Sequence, residues 1–289
     1  MQILSVQSHV CYGYVGNRAA SFPLQRMGFD VNAVNTVQFS NHSGYGSWKG
    51  EIFGAPHLRD IFEGLAARDV FKNSAALLSG YLGSRELGAC VLEAAERLKA
   101  ANPQAIYLCD PVMGDVGRGY FVKPEIPDFF VDEVIPRADI ITPNHFEFNR
   151  IAGEEITNLA QMARAMDRVH ARGPRFIVVT SFLETSPAAG HAPTLKVLLS
   201  VRGGERYYVE SPHFQFPVAP TGTGDLFSAL FLGNYLKNPA SPESALQRAT
   251  GGIYRVLKKN HERQTRELEI IAAQDAFLDP ELFPIARFA

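Results

Sequence analysis

The sequence predicts an α/β protein: a mostly parallel sheet covered by helices on both faces, with an antiparallel hairpin at one edge. Three observations predict it. Short apolar runs alternate with stretches of helical periodicity along the chain. Those runs end repeatedly in polar residues, at Ser8 and His9, at Ser79 to Tyr81, and at Asp110, Asn144 and Thr180. The pair Gly203-Gly204 joins two strand-like runs, as a hairpin turn does.

The elements follow in order. Residues 3–7 form a short apolar strand, and residues 16–27 read as a helix opening after Gly13 and Gly16. Residues 30–37 supply the next strand, with Val31, Ala33 and Val34 available to the core. The stretch 40–50 is too polar and glycine-rich for core; it suits a flap at the lip of a pocket, where His42, Ser43 or Tyr45 offer hydrogen bonds and an aromatic face. Residues 56–71 and 84–101 carry helical spacing on either side of a strand-like 75–79. Strands over 105–109, 140–142 and 175–180 end at Asp110-Pro111, Pro143-Asn144 and Ser181. Residues 195–202 and 205–210 make the two-residue-turn hairpin, and helices dominate from Thr223 onward, with a last extended piece expected over 266–273. No linker rich in Pro, Gly or Ser and no internal repeat divides the chain, so residues 1–289 read as one domain; the Pro- and Ala-rich 184–193 fits no pattern.

Bulk composition narrows the function. A chain of 289 residues with 46% hydrophobic and 20% charged residues can bury a core without metal or disulfide staples. A net charge of −2, from 28 basic and 30 acidic residues, argues against nucleic acid as a partner. Cys11, Cys90 and Cys109 lack Cys-x-x-Cys spacing and read as reduced thiols in or near the core. The first residues lack the pattern of a signal peptide, and no run approaches the ~20 apolar residues of a membrane span. A cytoplasmic protein without membrane partners is expected.

The most informative segment is Pro220-Thr221-Gly222-Thr223-Gly224-Asp225-Leu226-Phe227. Two glycines allow consecutive N–H groups to point one way at the positive end of a helix, a cup for a developing phosphate charge. Asp225 beside that cup is badly placed to hold an anion and well placed to take a proton from an attacking hydroxyl. A tight turn capped by aspartate has the same composition. Elsewhere, Asp110 at the exit of a buried strand is placed either to face magnesium or phosphate or simply to open an Asp-Pro turn. Asn144 caps the helix after Pro143, with Glu147 at the capping-box position and able also to organise magnesium through water. Residues 114–122, with three glycines, form a possible lid over nucleotide phosphates or an ordinary loop. No Gly-Lys phosphate loop, Gly-x-Ser-x-Gly elbow, His-x-x-x-His pair or Gly-x-Gly-x-x-Gly after the first strand occurs.

With these residues in view the chain resembles the bacterial pyridoxal kinases of the ribokinase superfamily. The resemblance runs through Gln7-Ser8-His9-Val10, Thr36-Val37-Gln38-Phe39-Ser40-Asn41-His42, Ser79-Gly80-Tyr81-Leu82-Gly83, Asp110-Pro111-Val112-Met113-Gly114-Asp115, Thr142-Pro143-Asn144 and Gly222-Thr223-Gly224-Asp225. It implies a ribokinase-like three-layer α/β/α fold and transfer of the ATP γ-phosphate to the 5′-hydroxymethyl group of pyridoxal, in vitamin B6 salvage. By resemblance Asp225 is the base, the amides of Gly222, Thr223 and Gly224 form the anion hole, Ser8 bonds the pyridine ring, and Ser43 and Tyr81 line the pocket near His42. Asp110, Thr142, Glu147 and Thr180 contact ATP or Mg²⁺, with Asn144 and Thr223 on the nucleotide side. A monovalent cation such as K⁺ and a homodimer are implied too. The chain departs from some relatives at Thr180, where they carry lysine, and at Gly44, where they carry glutamine. The rival reading is a hydroxymethylpyrimidine or other small-alcohol kinase of the same superfamily; a silent pyridoxal carrier is a third.

Overall fold

The computed structural model describes residues 1–182 and 194–289. The chain opens with β1 (Gln2–Tyr12), α1 (Asn17–Arg26), β2 (Asp30–Asn41), β3 (Gly50–Ile52), α2 (Ala55–Ala66), α3 (Val70–Asn73), β4 (Ser74–Ser79) and α4 (Arg85–Ala101). It continues through β5 (Ile106–Cys109), a small hairpin of β6 (Gly114–Asp115) and β7 (Gly119–Tyr120), α5 (Glu125–Phe129), β8 (Ile140–Ile141), α6 (His145–Ala152), α7 (Leu159–His170) and β9 (Phe176–Phe182). It closes with β10 (Thr194–Val201), β11 (Arg206–Pro212), α8 (Thr223–Lys237), α9 (Pro242–Arg263) and β12 (Ile285–Arg287).

Ten strands form one sheet in the order β12-β11-β10-β9-β8-β5-β4-β1-β2-β3. The six from β9 to β2 pair in parallel. β3 is antiparallel at one edge, and β10, β11 and β12 are antiparallel at the other. Alternation along each strand sends neighbouring side chains to opposite faces. Leu4, Leu77, Tyr107, Ile141 and Ile177 join one core with Leu58 and Phe62 of α2, Leu98 of α4 and Phe148 of α6. Ile3, Leu78, Leu108, Ile140 and Val178 join the other, with Leu24 of α1, Phe231 of α8 and Leu246 of α9. That is the layered architecture the sequence predicts, because strands buried on both faces must be apolar at nearly every position. α8 is buried all round, from Leu226 to Leu236, since it lies under the sheet and also packs against α1 and α9.

Several local expectations are corrected. β1 and β2 run on to Tyr12 and Asn41, so Ser8 and His9 sit within a strand, at a register shift between Gln7 and His9, rather than after it. The expected helix over 56–71 breaks: α2 ends at Ala66, and Asp69 takes a left-handed φ of 57° before α3. The hairpin loop is longer than two residues, with Gly204 N–H donating to the Val201 carbonyl at 2.9 Å and Val201 N–H to the Glu205 carbonyl at 3.2 Å. Residues 266–273 are not extended; the last strand is β12. Cys11 is exposed, whereas Cys90 and Cys109 are buried free thiols as expected. Residues 184–193 lie outside the described residues. Among the described residues no helix is long and apolar enough to cross a membrane.

Candidate active site

Six parallel strands share one rim at their carboxyl ends, where open α/β sheets bind ligands. Strand order fixes the sequence of polar groups along it: the 42–46 lip after β2, Ser8 in β1, Gly80 and Tyr81 after β4, Asp110 after β5, Thr142 and Asn144 after β8, and Thr180 in β9. From β1 to β9 there are four inter-strand steps, roughly 19 Å at about 4.8 Å each. The rim is long enough for two small ligands end to end.

Asp225 stands at the middle of this rim, in the first turn of α8. The first helical bond runs from Leu226 N–H to the Gly222 carbonyl, at 3.0 Å. The amides of Thr223, Gly224 and Asp225 therefore precede the ladder and point outward. Gly222 holds φ 86°, and a β-carbon there would lie 1.8 Å from the Tyr14 carbonyl oxygen, so only glycine lets the turn approach the 13–16 loop. From that loop the Gly16 main chain donates to Asp225, and Gly16 also abuts Ser8, whose Oγ is 2.5 Å from the β-carbon position. Opposite, a β-carbon on Gly80 would lie 2.8 Å from Gln7 Oε1 and 3.5 Å from Asp225 Oδ1. Burial raises the Asp225 carboxyl to about 6, with the Gly16 bond working against the shift. It is ionised at neutral pH and basic enough to accept a proton.

A buried polar chain sets Gln7. Asn17 Nδ2 donates to the Val34 carbonyl at 2.9 Å and to Asn35 Oδ1 at 2.8 Å, which leaves Asn17 Oδ1 to accept Ser5 Oγ at 2.7 Å. Ser5 in turn accepts Gln7 Nε2 at 3.0 Å. Gln7 Oε1, buried and without a protein partner, therefore faces Gly80.

Beside Asp225 lies a second group of carboxylates. Ser228, one turn along α8, donates to Asp110 Oδ2 at 3.2 Å and receives the Thr142 hydroxyl at 2.8 Å. A β-carbon on Gly224 would come within 3.3 Å of the same Asp110 oxygen. Glu147 Oε1 accepts Met113 N–H at 2.8 Å and Gly114 N–H at 3.4 Å, while Oε2 accepts Asn144 N–H at 2.9 Å. Asn144 completes the expected capping box and ties its own Nδ2 to the Gly114 carbonyl at 2.8 Å. Burial, then Glu147, then Asp225 push Asp110 well above the usual carboxylate range. Burial raises Glu147 to about 8 against the pull of three amides.

Crowded acids with so little counter-charge suit a cation. Among the described residues no three carboxylates, imidazoles or thiols converge as metal ligands, and both Glu147 oxygens are already engaged. The donor set fits an ion that brings most of its own ligands, as magnesium on a polyphosphate does.

Other expected residues flank this centre. Thr180 is half-buried and bridges Asn144 in parallel, its N–H on the Pro143 carbonyl at 2.9 Å. Tyr81 is half-buried next to Gly80, and burial raises its phenol. On the lip, His42 Nδ1 accepts Gly44 N–H at 3.0 Å, and Ser43 is exposed at the start of a single turn (Ser43–Tyr45). Burial, then the charge of Arg118 in the β6–β7 loop, lowers His42. Ser8, Asp110, Thr142, Glu147 and the Gly222–Asp225 turn come together around the cleft; His42 and Ser43 sit on the lip beyond β2. Gln7, Gly80, Ser228 and Glu267 escaped the sequence reading. Ser228, one helical turn beyond Asp225, was visible by spacing; Glu267 had no local signal.

Comparison with known proteins agrees. A family model for phosphomethylpyrimidine kinase matches residues 68–269. The pyridoxal kinase of Rubrobacter xylanophilus is 43% identical over 290 residues, covering 100% of this chain and 98% of that relative. The pyridoxal kinase of Deinococcus radiodurans is 42% identical, covering 99% and 96%. The solved pyridoxal kinase from Leishmania donovani, in complex with ADP and pyridoxamine, superposes with a TM-score of 0.90 at 34% identity, covering 100% of this chain and 99% of that one. The pyridoxal kinase from Trypanosoma brucei gives 0.86 at 29% identity, covering 99% of each. With relatives matched end to end and the same layered sheet, the chain belongs to the pyridoxal kinase family.

Proposed function

We propose that this protein is an ATP-dependent pyridoxal kinase of vitamin B6 salvage, moving the γ-phosphate of ATP onto the 5′-hydroxymethyl oxygen. The observation that carries the reading is Asp225: a carboxylate raised to about 6, facing the bare α-carbon of Gly80 and flanked by unpaired amides of α8. In the reaction Asp225 takes the hydroxyl proton while the oxygen forms its bond to the phosphoryl group; the bond to the ADP oxygen breaks and ADP leaves with that electron pair. The amides of Gly222, Thr223 and Gly224 face the transferring group, where preorganised donors act without reorganisation.

The order of groups along the rim supports a division into two halves. Ser8, His42, Ser43 and Tyr81, at the β2–β1–β4 end, receive the vitamin. Thr142, Asn144, Thr180 and Thr223, toward β8 and β9, receive ATP. Asp110 would hold magnesium, with Glu147 acting through water, and the ion would neutralise phosphate charge there. A monovalent cation such as K⁺, a homodimer, a cytoplasmic location and the action of residues 1–289 as one kinase domain complete the proposal by family resemblance; the continuous ten-stranded sheet supports the last.

The rival is a kinase for hydroxymethylpyrimidine, a substrate related to the phosphomethylpyrimidine named in the description of the matching family model. A coupled assay with Mg·ATP separates them: pyridoxal, pyridoxine or pyridoxamine should turn over with a kcat/KM well above that of hydroxymethylpyrimidine. The reverse order would overturn the proposal, and binding without phosphorylation would leave only a carrier.

A further inference from the structure

Two loops frame the vitamin end of the rim, and one carboxylate far away in sequence joins them. Glu267 Oε2 accepts the Tyr14 N–H at 3.0 Å, while Oε1 accepts the Tyr45 hydroxyl. Its neighbour Arg266 lies 3.6 Å above the Tyr45 ring centroid and donates to the Gly44 carbonyl at 2.8 Å. Gly13, at φ 86°, has no β-carbon to block the approach; one would lie 2.2 Å from Glu267 Oε2. Desolvation and the Glu267 charge both raise the Tyr45 phenol, so it stays a hydrogen-bond donor.

This clasp is mounted rigidly. Asn260, fully buried near the end of α9, donates to the Glu267 carbonyl at 2.6 Å and to Thr265 Oγ1 at 3.0 Å, and accepts Glu269 N–H at 3.1 Å. On the other side, each clasped loop carries working parts of the site. The 13–16 loop supplies the Gly16 donor to Asp225, the wall against Ser8 and the Tyr14 carbonyl against Gly222. The 42–46 loop carries His42 and Ser43.

We propose that Glu267 is a positioning residue for the vitamin alcohol: through Tyr14 and Tyr45 it fixes the distance between the lip that covers the vitamin and the loop that holds Asp225. It touches neither substrate. The proposal rests on the reading above, but its consequence is specific. Loosening the clasp weakens the hold on the vitamin and leaves ATP, which lies several strands away, unaffected.

The test uses the full chain with Tyr45→Phe, Glu267→Gln, Glu267→Ala and the double variant Y45F/E267A. Losing a charge-assisted hydrogen bond of this kind should raise KM for pyridoxal about tenfold in Y45F while KM for ATP stays within about twofold. E267Q, which keeps one acceptor oxygen, should fall between wild type and E267A. Because E267A already removes the Tyr45 link along with the Tyr14 one, Y45F should add nothing in the E267A background. Hydrogen exchange at the Tyr14 amide and over residues 43–46 should quicken in Y45F. Equal rises in both KM values, additive effects, or unchanged KM and exchange in Y45F each overturn the proposal. If E267A does not fold, Y45F and E267Q decide by the same criteria. A wild-type chain that turns over no pyridoxal would remove the kinase reading instead, and exchange would still report on the clasp.

Discussion

The carbonyl oxygen of Tyr14 occupies the space where a β-carbon on Gly222 would stand, 1.8 Å from it, so the two loops around the anion site meet backbone to backbone. Nothing flexible lies between them to yield. Gly222→Ala would therefore force the 13–16 loop outward and also place an L-residue at φ 86°, a left-handed conformation costing roughly 1–2 kcal/mol. The displaced loop carries the Gly16 donor to Asp225. Turnover should fall at least about a hundredfold, the loss expected when a preorganised donor is misplaced. Steady-state kinetics with a parallel melting curve checks it; near-normal kcat would detach the close approach from function.

A base whose carboxyl sits at about 6 must lose its proton before it can act. The pH profile of kcat/KM for the vitamin should rise through about pH 6 and level off toward neutrality, with the acid limb belonging to Asp225. Asp225→Asn removes that limb together with most of the activity, by about 10²–10⁴-fold. Nucleotide affinity should stay within a few-fold, because the amides of Thr223 and Gly224 remain. Isothermal titration with ATP beside the kinetic profile separates the two effects. An unchanged kcat in D225N would take the proton transfer away from this residue.

Gly80 has an ordinary backbone conformation, so its lack of a side chain matters only for space. Gly80→Ala would put a methyl group 2.8 Å from Gln7 Oε1 and 3.5 Å from Asp225 Oδ1. Gln7 cannot turn away, since its amide is pinned to Ser5 and through it to Asn17. The methyl should crowd Gln7 and fill the slot beside Asp225 where the alcohol arrives, cutting kcat/KM for the vitamin by at least about tenfold, the scale of a misplaced reacting group. The clash with a pinned, buried side chain should also lower the melting temperature, so the kinetics are read at a temperature where a parallel melting curve shows the variant folded. Full activity in G80A would mean that the alcohol does not approach from this side.

What could be read in advance followed the range over which each signal acts. The strand rim was legible because polar residues at the ends of apolar runs are a local pattern, and the Gly-Thr-Gly-Asp turn advertises itself through two glycines and an acid within four residues. The capping box of Asn144 and Glu147 was legible for the same reason, since its bonds span three residues. Ser8 lies within β1 and not at the end of a strand as expected, because nothing in Gln7-Ser8-His9 announces that β1 shifts register and continues to Tyr12. Glu267 was beyond reach: its partners lie 253 and 222 residues away, and only the fold brings the segment after α9 next to the lips. Gln7 carries no signal of its own in the sequence; only the direction of the Ser5–Asn17 chain shows which of its ends faces the site.

Asp110 tests whether the carboxylate cluster is held against its own repulsion. Its carboxyl is raised by burial first, then by Glu147 and Asp225, and Glu147 is itself raised to about 8. A carboxyl that is raised on folding is fully compatible with the folded state below its unfolded value, about 4. It then loses that stability as pH climbs through the folded value. The ligand-free protein should accordingly become less stable as pH rises from about 4 to about 8. That window opens at the unfolded value and closes at the folded value of Glu147, with Asp225 contributing up to about 6. Asp110→Asn deletes one of the repelling charges, keeps an oxygen for Ser228, and should stabilise the ligand-free protein by on the order of 1 kcal/mol while flattening that slope. The same change removes the group that would face magnesium, so Mg·ATP should no longer raise the melting temperature and turnover should collapse. Melting curves across pH with and without Mg·ATP read all of this in one series. A variant less stable than wild type at pH 8, or one still stabilised by Mg·ATP, would show that Asp110 is there to hold the fold and not the ion.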